Sequence, residues 1–124
     1  MNAILSLGRW LFAIPFAIFG LFHFMNGSQM VGAIPNYLPV PYFWVYLSGA
    51  GLLAASAAIL LGKYDKLAAI LLAVELVLFV LLIHLPALIG GDQMAMVSVL
   101  KDLALAGGAL LYAKFIAQDR SVVG

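Results

Sequence analysis

Four long apolar stretches make up most of this chain, and short polar segments separate them. They cover about residues 4–24, 42–61, 67–88 and 97–116, each close to the ~20 residues that a helix needs to cross the hydrocarbon of a bilayer. The stretches are too long for strands and show no strict alternation of apolar and polar residues. They predict an all-α fold, an integral membrane four-helix bundle that forms one transmembrane domain over residues 1–124.

Composition supports this interpretation. Asp, Glu, Lys and Arg make up 9% of the residues, whereas ordinary soluble domains contain roughly a quarter. The formal net charge of +1 suggests neither a nucleic acid nor a strongly acidic substrate, so the lipid bilayer is the expected partner. Cysteine is absent, which excludes disulfides, thiol catalysis and metal sites with cysteine ligands.

The basic residues predict how the helices are oriented. Five of them fall on one side of the predicted bundle: Arg9, Lys63, Lys66, Lys114 and Arg120. The connections 26–41 and 90–96 contain no Lys or Arg. Because Lys and Arg accumulate on the cytoplasmic side of membranes, we expect both termini to be cytoplasmic and these two connections to lie outside.

The outer loop 26–41 contains Pro35, Pro39 and Pro41, which together forbid a regular helix. We expect a structured cap over the bundle, and the alternative is a lid over a cavity that opens outward.

Small residues mark the predicted helix–helix faces, because helices in lipid associate by close packing. In the second stretch, Ala50, Ala54 and Ala58 follow one another at four-residue spacing, with Gly51 and Ala55 beside them. The fourth stretch has Ala104 and Gly108, then Ala109 and Ala113. These faces could pack inside one bundle or between two copies of the chain, so a homo-oligomer is one expected state.

Charged residues inside the apolar stretches are the best candidates for function, because a charge in hydrocarbon is costly and is usually paired or in use. Glu75 lies about a third of the way into the third stretch, and Arg9 lies near the start of the first. The simplest prediction is an ion pair between them that locks two helices together. The alternative is that Glu75 accepts protons or binds a cation.

A second group of polar residues is predicted near the outer side. His23 and Asp102 are at similar depth and could hydrogen-bond, and Asp102 shares a face with small residues that points inward. Such a pair could bind the polar head of a ligand or pass protons, or His23 could simply satisfy an interfacial group. Lys101 is a further ligand candidate that could instead extend to the headgroups. His84 is about 180° from Glu75 on an ideal helix, so it is expected to be interfacial or to meet a neighbouring subunit unless Pro86 distorts the turn.

No metal site is predicted, because the histidines and carboxylates lack the spacing of helical metal ligands, such as His-x-x-x-His or Glu-x-x-His. No motif for independent catalysis is present either.

With these positions, the chain resembles the DoxX family of small four-helix bacterial membrane proteins. The likeness rests on four segments and one residue: Gly20–Phe24, Val31–Pro39, Trp44–Gly49 and Leu100–Gly108, with Glu75 in the third stretch. The resemblance implies a place in the bacterial inner membrane and a link to quinone-dependent redox complexes. If the chain belongs to an enzyme, it would be an accessory subunit of a quinone-linked oxidoreductase.

Three functions follow as hypotheses. The first is a redox-associated subunit that binds a quinone-like or other small hydrophobic ligand in the bundle, through His23, Asp102 and Lys101. The second is a non-enzymatic assembly protein that associates with a partner such as a redox complex. The third is a small proton-coupled transporter that uses Glu75.

Overall fold

The computed structural model describes residues 2–30, 32, 34 and 37–119. Every regular element in these residues is helical, which confirms the predicted all-α fold. Four long helices follow one another: α1, Gly8–Met25; α2, Pro41–Leu61; α3, Asp65–Ile89; and α4, Ala95–Ile116. One-turn helices at Asn2–Leu5 and Gly27–Met30 flank α1.

All four long helices are long and apolar enough to cross a membrane, with candidate spans of 21 to 25 residues. Their outward faces carry large apolar side chains, such as Leu11 on α1, Leu71 on α3 and Leu110 on α4, each more than half exposed. A helix in a water-soluble bundle would carry polar residues on that face. The pattern fits a multi-pass membrane protein.

The helices pack in sequence order, α1 along α2, α2 along α3 and α3 along α4, whereas α1 and α3 share almost no backbone contact. The closest approach is between α1 and α2 at Gly20 and Gly49. A Cβ atom at Gly49 would lie 2.6 Å from the His23 Cβ, and one at Gly20 would lie 2.9 Å from the Gly49 carbonyl oxygen. Both positions therefore need glycine for the two backbones to meet.

Aromatic rings fill the space between α1 and α4. Phe12 stacks on Tyr112 with ring centroids 6.4 Å apart, and it meets Phe16 edge-on at 5.2 Å. The buried Ser56 hydroxyl of α2 donates to the Ala13 carbonyl oxygen of α1 at 2.8 Å. Alanines and aromatic rings pack in the core with the buried aliphatic residues Leu52, Ile59, Leu72 and Leu76.

The predicted helix–helix faces are internal only in part: Ala55 of α2 and Ala109 and Ala113 of α4 are buried in the core. Ala50 and Ala54 are exposed and Ala58 is half-buried, because α2 turns the neighbouring Leu52 and Ser56 toward the core. On α4, Ala104 is exposed and Gly108 is half-buried against Phe12. Contact between two copies of the chain through Ala50, Ala54 and Ala58 stays a prediction.

A buried carboxylate holds the bundle together at the end that contains the turn between α2 and α3. Asp65, the first residue of α3, accepts a hydrogen bond from the Tyr112 hydroxyl at 2.8 Å. The backbone N–H groups of Gln118 and Asp119 donate to its two oxygens at 2.9 Å and 2.8 Å. The segment after α4 is thereby tied to the start of α3, and we call these four residues the Asp65 cluster.

The opposite end carries the connections 26–40 and 90–94. The Trp44 indole N–H donates to the Pro39 carbonyl oxygen at 2.7 Å, which holds the last part of the first connection against α2. Most of the segment 31–36 lies outside the described residues. Of this connection, Met30 and Ile34 line a cavity of the bundle, which is the position that the predicted cap or lid requires.

Candidate functional site

Asp102 is the centre of a polar cluster where α3 ends and α4 begins. The His84 Nε2–H donates to Asp102 Oδ2 at 3.0 Å, and the Lys101 Nζ lies 3.5 Å from Oδ1. The Asp102 side chain is 5% exposed. A carboxylate buried this deeply is stable only when it is paired and hydrogen-bonded, and here both conditions are met. We call His84, Lys101 and Asp102 the Asp102 cluster.

His84 reaches Asp102 because α3 widens into a π turn at Val80–His84. Pro86 has no backbone N–H, and its ring excludes the carbonyl of Leu82, four residues earlier. The Leu85 N–H donates to the Val80 carbonyl oxygen, five residues earlier, instead of to Leu81 as it would in an α-helix. The freed Leu82 carbonyl oxygen accepts a hydrogen bond from the Tyr37 hydroxyl at 3.2 Å. The wide turn rotates His84 away from its position on an ideal helix and aims it at α4.

A cavity of about 290 Å³ lies among the four helices beside this cluster. We call it the inner cavity. Its lining is apolar except for Ser48, His23 and the Asp102 cluster. The apolar part of its lining comprises Phe16, Phe19, Met30, Ile34, Val45, Leu52, Leu76, Phe79, Ile83 and Leu105. A mostly apolar chamber with a few convergent polar groups is the usual form of a small-molecule site.

The predicted pair of His23 and Asp102 was wrong. His23 lines the inner cavity, but its Nδ1 lies 2.6 Å from the Phe19 carbonyl oxygen, one turn back on the same helix. Because a carbonyl can only accept, this Nδ1 carries the proton. His84 takes the place beside Asp102 that the prediction gave to His23. The prediction that His84 would be interfacial, or would meet a neighbouring subunit, assumed an undistorted helix.

Lys101 lines the inner cavity, which is the position expected of a ligand candidate, and its contact with headgroups stays a prediction. Its side chain is 48% exposed, but the Nζ lies beside Asp102 and 5.6 Å from the centroid of the Phe19 ring. A cation over an aromatic face gains electrostatic attraction from the ring. The ammonium group therefore closes one side of the inner cavity.

The predicted ion pair between Arg9 and Glu75 was wrong, because no ion pair joins them among the described residues. Arg9 is half-buried on α1. Glu75 lies on α3, which is not adjacent to α1 in the bundle. Its carboxylate faces α2, where a Cβ atom on Gly51 would lie 3.1 Å from Oε1.

Glu75 lines a second and larger space of about 660 Å³ between α2 and α3, which we call the outer groove. Its wall on the α2 side includes Gly51, Ala54 and Ala58. The outer groove and the inner cavity have four lining residues in common, Ile34, Ser48, Phe79 and Ile83. The structure therefore places the candidate residues of the sequence in two spaces, His23, Lys101 and Asp102 in one and Glu75 in the other.

Sequence reasoning missed two features of these sites. Pro86 was considered as a source of distortion in this turn, but the ideal 100° per residue was preferred, so the contact between His84 and Asp102 was not predicted. Asp65 was not considered, although an acidic residue in the first turn of a helix is stabilised by the helix dipole.

The Asp102 cluster can bind polar groups and exchange protons. Its carboxylate is occupied by two donors, while the Lys101 ammonium keeps further N–H donors and the second ring nitrogen of His84 accepts. As metal ligands, Asp102 and His84 would need a third residue, and no group of three His, Asp or Glu side chains suited to a metal ion occurs in the described part of the chain. The cluster is therefore best suited to an organic ligand with oxygen groups.

Comparison with known proteins corrects the resemblance that the sequence suggested. No curated protein and no solved structure matches the chain. The family that matches is described as a domain of unknown function, DUF8561, over residues 12–102. The resemblance to the DoxX family was wrong, because the chain matches this other family and apolar helices look alike across unrelated families. The matched segment covers well over half of the 124 residues, from α1 into α4, and the chain belongs to the DUF8561 family.

Proposed function

We propose that the chain is a multi-pass membrane protein whose bundle binds one small amphipathic molecule in the inner cavity. The observation that supports this proposal is the Asp102 cluster at the margin of an otherwise apolar chamber. Buried charges are costly, so a bundle that needed only packing would gain from apolar residues at these positions. Binding of a ligand with a polar head would account for these buried charged groups.

The groups left open by the cluster define the ligand head. A hydroxyl or carbonyl oxygen can accept from Lys101, and a hydroxyl can donate to the open nitrogen of His84. A quinone-like head, with its carbonyl oxygens, is one member of this class. The ligand body would contact the apolar walls, where burial of hydrocarbon contributes about 25 cal/mol per Å².

The redox part of the earlier hypothesis is not kept. It depended on the DoxX resemblance, which the family match replaces. The same holds for the bacterial inner membrane as the compartment. The proposed topology depends only on the basic residues, with the ends of the chain and the turn between α2 and α3 on the cytoplasmic side.

The test is to extract the small molecules that copurify with the wild-type protein in mild detergent and to quantify them per protein by mass spectrometry. We expect one amphipathic species in near-equal molar amount. Asp102→Asn should lower its content at least about tenfold, since the cluster loses its charge centre. Leu105→Trp should do the same by filling the inner cavity, where Leu105 lies.

Leu110→Trp is the matched control, because Leu110 lies on the same helix and faces outward. It should retain the wild-type content. Equal content in Asp102→Asn, Leu105→Trp and wild type would contradict the proposal. A stoichiometric protein partner with no bound small molecule would support the assembly hypothesis instead.

A further inference from the structure

Glu75 has no partner of opposite charge in the structure. It forms no ion pair and no side-chain hydrogen bond within the described residues, although it lies about two fifths of the way along α3. The residues that line the outer groove include no Lys, Arg or His in the described part of the chain. A lone carboxylate in an apolar wall at this depth is costly, and residues of this kind usually mark a ligand or ion site.

The wall around Glu75 leaves room for a bulky occupant. Gly51 makes room for the Glu75 carboxylate itself, since a Cβ there would lie 3.1 Å from Oε1. Ala54 and Ala58 keep the same face of α2 shallow. The groove volume of about 660 Å³ lies within the range of sites for drug-sized molecules.

The chemistry of the wall selects the kind of cation. One carboxylate cannot replace the hydration shell of a small inorganic ion, which needs about six oxygen ligands. The Phe79 ring, one turn of α3 beyond Glu75, instead lies in the same wall and can contact an organic cation. Most of the remaining wall is aliphatic, so an occupant gains by burying hydrocarbon.

We infer that the outer groove is a binding site for a small lipophilic monocation, with Glu75 as its counter-charge. The inference does not depend on the proposed function, because Glu75 and the Asp102 cluster line different spaces. Such a cation would pair with the Glu75 carboxylate. Its size would suit the outer groove beside the shallow face of α2.

The test uses two probes of the same shape and opposite charge, tetraphenylphosphonium and tetraphenylborate. Their binding is measured by equilibrium dialysis on the protein in phosphatidylcholine nanodiscs, and empty nanodiscs correct for partition into lipid. We expect saturable binding of the phosphonium and none of the borate. Glu75→Gln should weaken phosphonium binding at least about tenfold, and Glu75→Asp should retain part of it.

Ala54→Phe tests the shape of the groove while keeping the carboxylate. It should abolish phosphonium binding, whereas Ala50→Phe should not, because Ala50 is exposed on the same helix and does not line the groove. Thermal unfolding of each variant confirms that it is folded. Saturable phosphonium binding that is equal in wild type and folded Glu75→Gln would overturn the inference, as would equal binding of both probes.

A second copy of the chain is the other possible occupant. A wild-type dimer that binds no phosphonium, and that Ala54→Phe splits into monomers, would assign the groove to that contact and overturn the inference.

Discussion

Asp65 shows how one side chain can organise the end of a bundle. Its carboxylate is fully buried and accepts from the Tyr112 hydroxyl and from two backbone N–H groups of the segment after α4. All of these partners are donors, so the position requires a group that only accepts, which an ionised carboxylate provides. An amide meets this requirement only in part, because its NH₂ group would face a backbone N–H at either oxygen position, although the Tyr112 hydroxyl itself can also accept.

We predict that Asp65→Asn lowers the free energy of unfolding by about 2–3 kcal/mol, since at least one buried donor loses its charged acceptor. The measurement is unfolding in mixed micelles with a rising fraction of SDS. Asp92→Asn is the control, because Asp92 is exposed and accepts one hydrogen bond from the Met94 N–H at 3.1 Å. A loss no larger than that of the control would show that the Asp65 cluster contributes little.

Helix α3 lacks the backbone hydrogen bond that residue 86 would donate, and Tyr37 in the loop before α2 supplies a donor in its place. Pro86 removes a backbone donor, and the Leu82 carbonyl oxygen is left to the Tyr37 hydroxyl. The same turn directs His84 to Asp102. Proline, the π turn and the tyrosine therefore act as one unit, although Tyr37 and Leu82 are 45 residues apart.

A double-mutant cycle tests this unit. Tyr37→Phe should cost about 0.5–1 kcal/mol of unfolding free energy in the presence of Pro86. In Pro86→Ala the residue at 86 regains an N–H that can bond the Leu82 carbonyl oxygen, so the same tyrosine change should cost almost nothing. Unfolding in mixed micelles measures all four proteins. Equal costs in both backgrounds would mean that the hydroxyl does not substitute for the missing backbone donor.

The helical pattern of the sequence was sufficient for part of the site and insufficient for the rest. It predicted that Asp102 faces inward together with Ala106 and Ala109, and all three are buried. It failed at His84, because a π turn changes the angle per residue in a way that hydropathy does not reveal. It also failed at Arg9, because the pairing with Glu75 needed α1 beside α3, and the order of helices around a bundle is not written in their periodicity.

Charged residues are distributed unevenly between the two ends of the bundle. Lys63 lies in the turn between α2 and α3, at the end where the Asp65 cluster joins the segment after α4. The connections at the other end carry Asp92 and no Lys or Arg. This asymmetry supports the proposed orientation, in which the end with Lys63 is cytoplasmic.

The absence of cysteine makes the orientation simple to measure. In intact cells, a membrane-impermeant maleimide should label Asp92→Cys and leave Lys63→Cys unlabelled until the cells are opened. Both positions are exposed in the structure, so accessibility within the fold does not differ between them. Labelling of Lys63→Cys alone in intact cells would reverse the orientation.

The four residues shared by the inner cavity and the outer groove have a consequence for occupancy. Ile34, Ser48, Phe79 and Ile83 form a partition that is common to both chambers. If a ligand in one space pushes the Phe79 ring into the other space, it reduces the volume left for a second ligand there. The two ligands would then weaken each other's binding without direct contact. Thermodynamic reciprocity makes that antagonism equal in both directions, whichever chamber fills first.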